Sequence, residues 1–118
     1  MSVDIDAWKN VVKQVVGGLA DEDLQRRAWF GSGPEVSSPD DDFCAFFGDI
    51  AIEDFLDRDD SGLDKKQREA GRRLVSLMRD LSARTPQHID PSELIDDPRW
   101  RQVREAAGRF LAALSKRG

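Results

Sequence analysis

Asp64-Lys65-Lys66-Gln67-Arg68-Glu69-Ala70-Gly71-Arg72-Arg73-Leu74-Val75-Ser76-Leu77-Met78-Arg79-Asp80-Leu81 is the stretch that decides the fold class. Ala70, Leu74, Leu77, Met78 and Leu81 fall on one side of a 3.6-residue repeat, with charged residues on the other. Asp64 and Gln67 stand three apart at its start, the spacing of a capping box. Thr85-Pro86 ends it, because proline cannot continue the hydrogen-bond ladder and disfavours helical geometry in the residue before it. A long, capped, amphipathic helix is therefore expected here, the fifth in the chain.

The same signals recur on both sides. Towards the C-terminus, Asp90-Pro91-Ser92-Glu93 reads as a capped single turn through Ile95. Asp97-Pro98 then opens a last helix with Trp100, Val103, Ala107, Phe110, Leu111 and Leu114 on one face. Towards the N-terminus, Ile5, Trp8, Val12, Val15 and Leu19 form a stripe on a first helix running from about Asp4 into Gly17-Gly18. Asp21 caps a second, Glu22 to Phe30, which Gly31 stops. After the loop 31–37, Ser38-Pro39-Asp40-Asp41 starts a third helix carrying Phe43, Cys44, Phe46 and Phe47 and ending near Gly48. Asp49 is expected to cap a fourth, with Ile52, Phe55 and Leu56 buried. Thr85 is the only threonine and there is no tyrosine, so two common strand formers are missing. These readings give an all-α fold: a single domain over residues 1–118, a compact bundle of about six or seven helices. Its expected core is Trp8, Trp29, Phe46, Phe47, Phe55, Leu74, Leu77, Leu81, Trp100, Val103, Phe110 and Leu114.

With 118 residues the chain is long enough to bury one core without staples. The single cysteine forbids an internal disulfide, and the acidic start, Met1 to Asp6, has no secretory-signal character. No apolar run approaches the ~20 residues that span a bilayer. A cytoplasmic location away from the membrane is expected. The net charge of −5 is unevenly spread. Residues 1–60 hold 15 acidic and 5 basic side chains, residues 61–118 hold 8 acidic and 13 basic. Either the halves neutralise one another within the fold, or one of them faces a partner.

Catalytic patterns are missing. His88, the only histidine, stands in a proline-flanked segment with no serine or cysteine set that suggests a triad. Cys44 sits among phenylalanines and reads as a small buried hydrophobe. There is no phosphate-binding glycine loop and no zinc spacing. The expectation is no enzyme, no metal and no cofactor. Asp57-Arg58-Asp59-Asp60-Ser61-Gly62 has oxygen ligands at positions one, three and five of a calcium loop and glycine at six. Position twelve, where a glutamate would close the coordination sphere, is Arg68. A helical regulatory or calcium-binding module is thus the alternative reading. Nucleic-acid binding is disfavoured, because Arg72, Arg73, Arg79, Arg99, Arg101, Arg104 and Arg109 are interspersed with acidic and apolar residues.

The densest chemistry lies between Trp29 and Asp60, where ten carboxylates accompany several aromatics: Glu35, Asp40, Asp41, Asp42, Asp49, Glu53, Asp54, Asp57, Asp59 and Asp60. Such a surface speeds association with a basic protein and can fill a site meant for phosphate. Glu35, Asp40, Asp41, Asp42, Asp57, Asp59 and Asp60 are the expected partner-binding residues, and the expected partner is a basic toxin or nuclease domain.

Trp8, Leu19-Ala20-Asp21, Gln25, Trp29 and Gly33-Pro34-Glu35-Val36-Ser37-Ser38, followed by Asp42-Phe43-Cys44-Ala45-Phe46-Phe47-Gly48-Asp49, resemble a pattern in small uncharacterised bacterial all-α proteins. There a tryptophan-bearing first helix leads into a Gly-Pro-Glu-Val-Ser-Ser-like loop; Asp97-Pro98-Arg99-Trp100 also looks like part of that pattern. The likeness covers mainly residues 8–60. By analogy with immunity proteins of this size and charge, it implies a protein that neutralises a toxin. It assigns no site residues.

Overall fold

The first N–H groups of a helix have no partner within it, and a carboxylate or hydroxyl placed just before them fills the gap. A computed structural model describes residues 4–31, 38–84 and 90–115, apart from the side chains of Asp40, Asp59 and Arg84. In it, six of the helices begin at such a side chain. Asp4 accepts from the Ala7 N–H at 3.0 Å and opens α1 (Ile5–Ala20). Asp21 does the same from Leu24, also at 3.0 Å, for α2 (Glu22–Trp29). Ser38 opens α3 (Pro39–Cys44), with Asp41 closing a reciprocal box. α4 (Ile52–Asp57) is the exception. Asp64 and Gln67 exchange two 2.8 Å bonds at the head of α5 (Lys65–Arg84). Asp90 caps α6 (Pro91–Leu94), and Asp97 accepts from the Arg99 N–H at 2.8 Å where α7 (Pro98–Ser115) begins. The described residues contain no strand, and the expected all-α bundle is what the chain forms.

α7 packs extensively on both α5 and α1. Trp100, Val103, Ala107, Phe110 and Leu114 leave it on one side and meet Val12, Val16 and Leu19 of α1 and Leu74, Met78 and Leu81 of α5, all buried. Each large apolar side chain buried in this way contributes roughly 1.5–3 kcal/mol. The cluster continues without a break through Phe46, Ile50, Ile52, Phe55 and Leu56. Gly71 is required where α5 meets this second group. A Cβ there would stand 2.6 Å from Leu56 Cδ2 and 3.0 Å from the Phe110 ring.

Gln25 is a polar side chain built into the centre, 2% exposed. Its amide nitrogen donates to the Gly18 and Leu19 carbonyls at 2.9 and 2.8 Å, and its oxygen accepts from Trp100 Nε1 at 2.9 Å. One amide thus ties the end of α1 and the start of α7 to α2.

Four expectations need correction. Cys44 is exposed, because Phe43 and Phe46 turn inward and the residue after Phe43 on a helix is rotated by about 100°. Asp49 does not cap α4. The chain passes from α3 into a π-helical turn, Ala45–Asp49, and then through Ala51 in the left-handed region (φ 45°, ψ 56°), which precedes α4 without a side-chain cap. Trp8, Phe47 and Leu77 are only partly buried and lie at the margin of the core. On α1 the buried line is Val12, Val16 and Leu19, with Ile5 and Val15 at its edge.

Candidate functional site

Between Ser38 and Ser61 the chain forms an acidic arm: α3, the π-helical turn, α4 and a 3-10 turn, Asp59–Ser61. Its irregularity has a packing cause. Ile50 and Ile52 are both fully enclosed, and residues two apart on one helix point about 200° from each other. The helix must therefore break between them, and Ala51 in the left-handed region is the break, at a cost of roughly 1–2 kcal/mol for a residue with a Cβ. Trp8 holds the break in place. Its indole N–H donates to the Ile50 carbonyl at 2.7 Å, its ring meets Phe55 edge-on at 5.3 Å, and the Arg58 guanidinium lies over it at 5.6 Å. With the inner face so committed, Asp41, Asp49, Asp54, Asp57 and Asp60 are left on the exposed side.

The expected partner-binding carboxylates are not equivalent. Glu35 and the side chains of Asp40 and Asp59 lie outside the described residues, as does His88. Asp41 is exposed and accepts from the Ser38 N–H. Asp42 turns inward: partly buried, it accepts from the Trp29 indole N–H at 3.0 Å. Burial pushes its carboxyl up to about 6; the indole bond works against this and the charge of Asp41 adds to it. Asp57 is exposed and paired with Arg72 at 2.9 Å. Asp60 takes both ends of the Arg58 guanidinium at 2.7 Å, a bond that holds its carboxyl below the usual carboxylate range. The fold therefore gathers these residues along one segment but spends Asp42, Asp57 and Asp60 on side-chain partners within the chain and Asp41 on the cap of its own helix.

The calcium-like turn is closed by a side chain. Arg68, at the position where a calcium loop carries its glutamate, sends its guanidinium into the turn. It donates to the carbonyls of Leu56 at 2.7 Å, Arg58 at 2.8 Å and Leu63 at 3.4 Å. Ser61, buried, donates to the Arg58 carbonyl as well. A permanent cation of the chain thus occupies the carbonyl-lined side of the turn, and Coulomb repulsion opposes a second one there. Among the described residues no group of three or more acidic, histidine or cysteine side chains is arranged to hold a metal ion.

The unequal halves meet in part. Arg26 with Asp96, Arg72 with Asp57, Arg79 with Glu53 and Arg104 with Glu22 all join an acid and a base from opposite sides of residue 60. Arg72, Arg79, Arg99 and Arg104 each hold a carboxylate, which takes four of the seven arginines noted on the basic half. Asp41, Asp42, Asp49 and Asp54 pair with no cation among the described residues. The cleft between α4 and α5, lined by Glu53, Leu56, Asp57, Arg72, Val75 and Ser76, has a volume of about 200 Å³. Small-molecule sites usually enclose about 300–1,000 Å³.

No protein family, curated protein or solved structure matches this chain. Sequence reasoning missed the structural roles of Gln25 and Arg68, which organise the centre and the turn, and of Ala51. Gln25 carried one signal: it lies three and four residues before Ala28 and Trp29, on their face of α2. Arg68 could be read only as a failed calcium ligand, and Ala51 gave no signal at all. Among the described residues no helix is long and apolar enough to cross a membrane.

Proposed function

We propose that this chain is a non-catalytic protein-binding domain that presents its acidic arm to a basic protein. The observation that carries this reading is the set of exposed carboxylates Asp41, Asp49 and Asp54. They share one short segment and have no cationic partner among the described residues. Unneutralised charge on a fixed scaffold steers an oppositely charged protein and selects against like-charged ones. Phe30 supports a protein as the ligand: it is 48% exposed at the end of α2, one residue from the tryptophan that holds Asp42. The partner class is a cationic toxin or nuclease domain, inhibited by occlusion as its lysines and arginines engage the arm. That class follows the resemblance to immunity-like proteins, and a cytoplasmic setting follows with it.

The test is capture of partners from the source cells at low and moderate salt, then titration of the purified pair. The triple reversal Asp41→Lys, Asp49→Lys, Asp54→Lys is expected to abolish a salt-sensitive interaction, with any loss of helical content confined to the start of α3, where Asp41 closes the cap. Unchanged affinity of the triple variant would remove the acidic arm from the proposal.

A further inference from the structure

The cleft between α4 and α5 joins an apolar lining to charged walls. Leu56, buried, and Val75, half-buried, supply the apolar part, and Ser76 stands exposed at the rim. Glu53 and Asp57 are one turn apart on α4, so both carboxylates reach the same side of the cleft. Each commits one oxygen to an arginine of α5: Asp57 Oδ1 accepts from Arg72 at 2.9 Å, and Glu53 Oε1 accepts from Arg79. Arg72 lines the cleft, whereas Arg79 is drawn over the Phe47 ring, 6.0 Å from its centre, and does not line it. Asp57 Oδ2 and Glu53 Oε2 accept nothing from a described residue. Both ion pairs are largely exposed, and such pairs hold their members weakly. At about 200 Å³ the cleft is small for a metabolite and suits a single long side chain.

We propose that this cleft is a socket for one arginine side chain of the basic partner: its guanidinium bridges Glu53 and Asp57, and its methylene stem lies on Leu56 and Val75. The socket rests on the reading of the arm as a surface for a basic protein. Charge favours a cation over an anion here. The lining carries two carboxylates against one guanidinium, and Asp54, next to Glu53, adds an exposed carboxylate with no cationic partner among the described residues. A guanidinium presents five donors in a planar fork, so it can serve the two vacant carboxylate oxygens together and leave Arg72 and Arg79 in place. An ammonium is a point charge without that fork, so lysine binds less tightly than arginine. The stem of the incoming side chain gains by covering the apolar lining while its charged head stays at the mouth.

The probe is N-acetyl-arginine methylamide, titrated into the unaltered chain and followed by amide chemical shifts. Saturable shifts confined to residues 53–57 and 72–76 are expected, with a dissociation constant on the order of millimolar. The citrulline analogue, which keeps the shape and lacks the charge, is expected to bind roughly tenfold more weakly. Shifts that spread evenly to Asp41 and Asp49, or equal binding of the citrulline analogue, overturn the socket. Val75→Phe fills the cleft without altering a charge and is expected to abolish the saturable shifts. Should it fold poorly, Ser76→Leu at the exposed rim serves the same purpose, and undiminished binding in the folded variant refutes the proposal. The probe needs no partner, so failure of the partner reading shows in the capture experiment and failure of the socket shows in this titration. With a partner in hand, affinity lost in the triple reversal of Asp41, Asp49 and Asp54 but untouched by Val75→Phe refutes the socket and leaves the arm.

Discussion

α7 and the two helices it packs on keep one periodicity from end to end, whereas the chain from Ser38 to Ser61 changes helix type three times. The two regions share one apolar cluster, so the difference is not one of burial. It lies in how the buried residues are spaced. On α7, Trp100, Val103, Ala107, Phe110 and Leu114 advance in steps of three and four, and a straight helix buries all of them. On the arm, Ile50 and Ile52 cannot both face inward from one helix, and the backbone deforms to seat them. The frame is thus held chiefly by packing. The arm is held by packing together with a few polar hooks: Trp8 on Ile50, Trp29 on Asp42, and Arg68 on three carbonyls.

Four substitutions test that contrast. The largest effect belongs to the frame: Phe110→Ala should cost about 3–5 kcal/mol in denaturant unfolding, because it leaves a cavity between α5 and α7. A loss under about 1 kcal/mol would mean that the frame is not the stability centre. Next is Gln25→Ala, expected to cost about 2–3 kcal/mol, since it orphans the buried Trp100 N–H and two bonded carbonyls. Arg68→Met should cost about 1.5–3 kcal/mol through lost charged hydrogen bonds, with faster exchange confined to residues 57–63. Loosening that spreads to α7 would erase the boundary between the regions. The smallest effect has the opposite sign. Ala51→Gly should stabilise by about 0.5–1 kcal/mol, because the left-handed conformation is natural to glycine and the relief exceeds its greater unfolded-state entropy. Destabilisation there would show that the arm is not strained at Ala51.

How far the sequence could be read follows the same boundary. α5 and α7 were legible because cap, stripe and stop agree within each segment. The Asp64–Gln67 box and the Asp97 start could be seen in four or five consecutive residues. Asp49 misled because an acidic residue before an apolar run is a valid local signal that the packing of Ile50 and Ile52 overrode. Cys44 misled because its phenylalanine neighbours in sequence are not its neighbours in space. At the candidate site the run of acids was plain, but exposure was not. The three-residue spacing from Ser38 marks Asp41 as a cap, but nothing local shows that Asp42 turns towards Trp29.

The sequence by itself determined the helical class, most of the starting caps and the faces of the long helices, because these depend on interactions within about four residues. Tertiary structure alone decided which carboxylates keep their charge in water, that Gln25 and Arg68 would serve as internal connectors, and where the arm must break. Those outcomes depend on groups 10 to 75 residues apart being brought within hydrogen-bond reach. Desolvation and packing between such groups exist only once the core has closed.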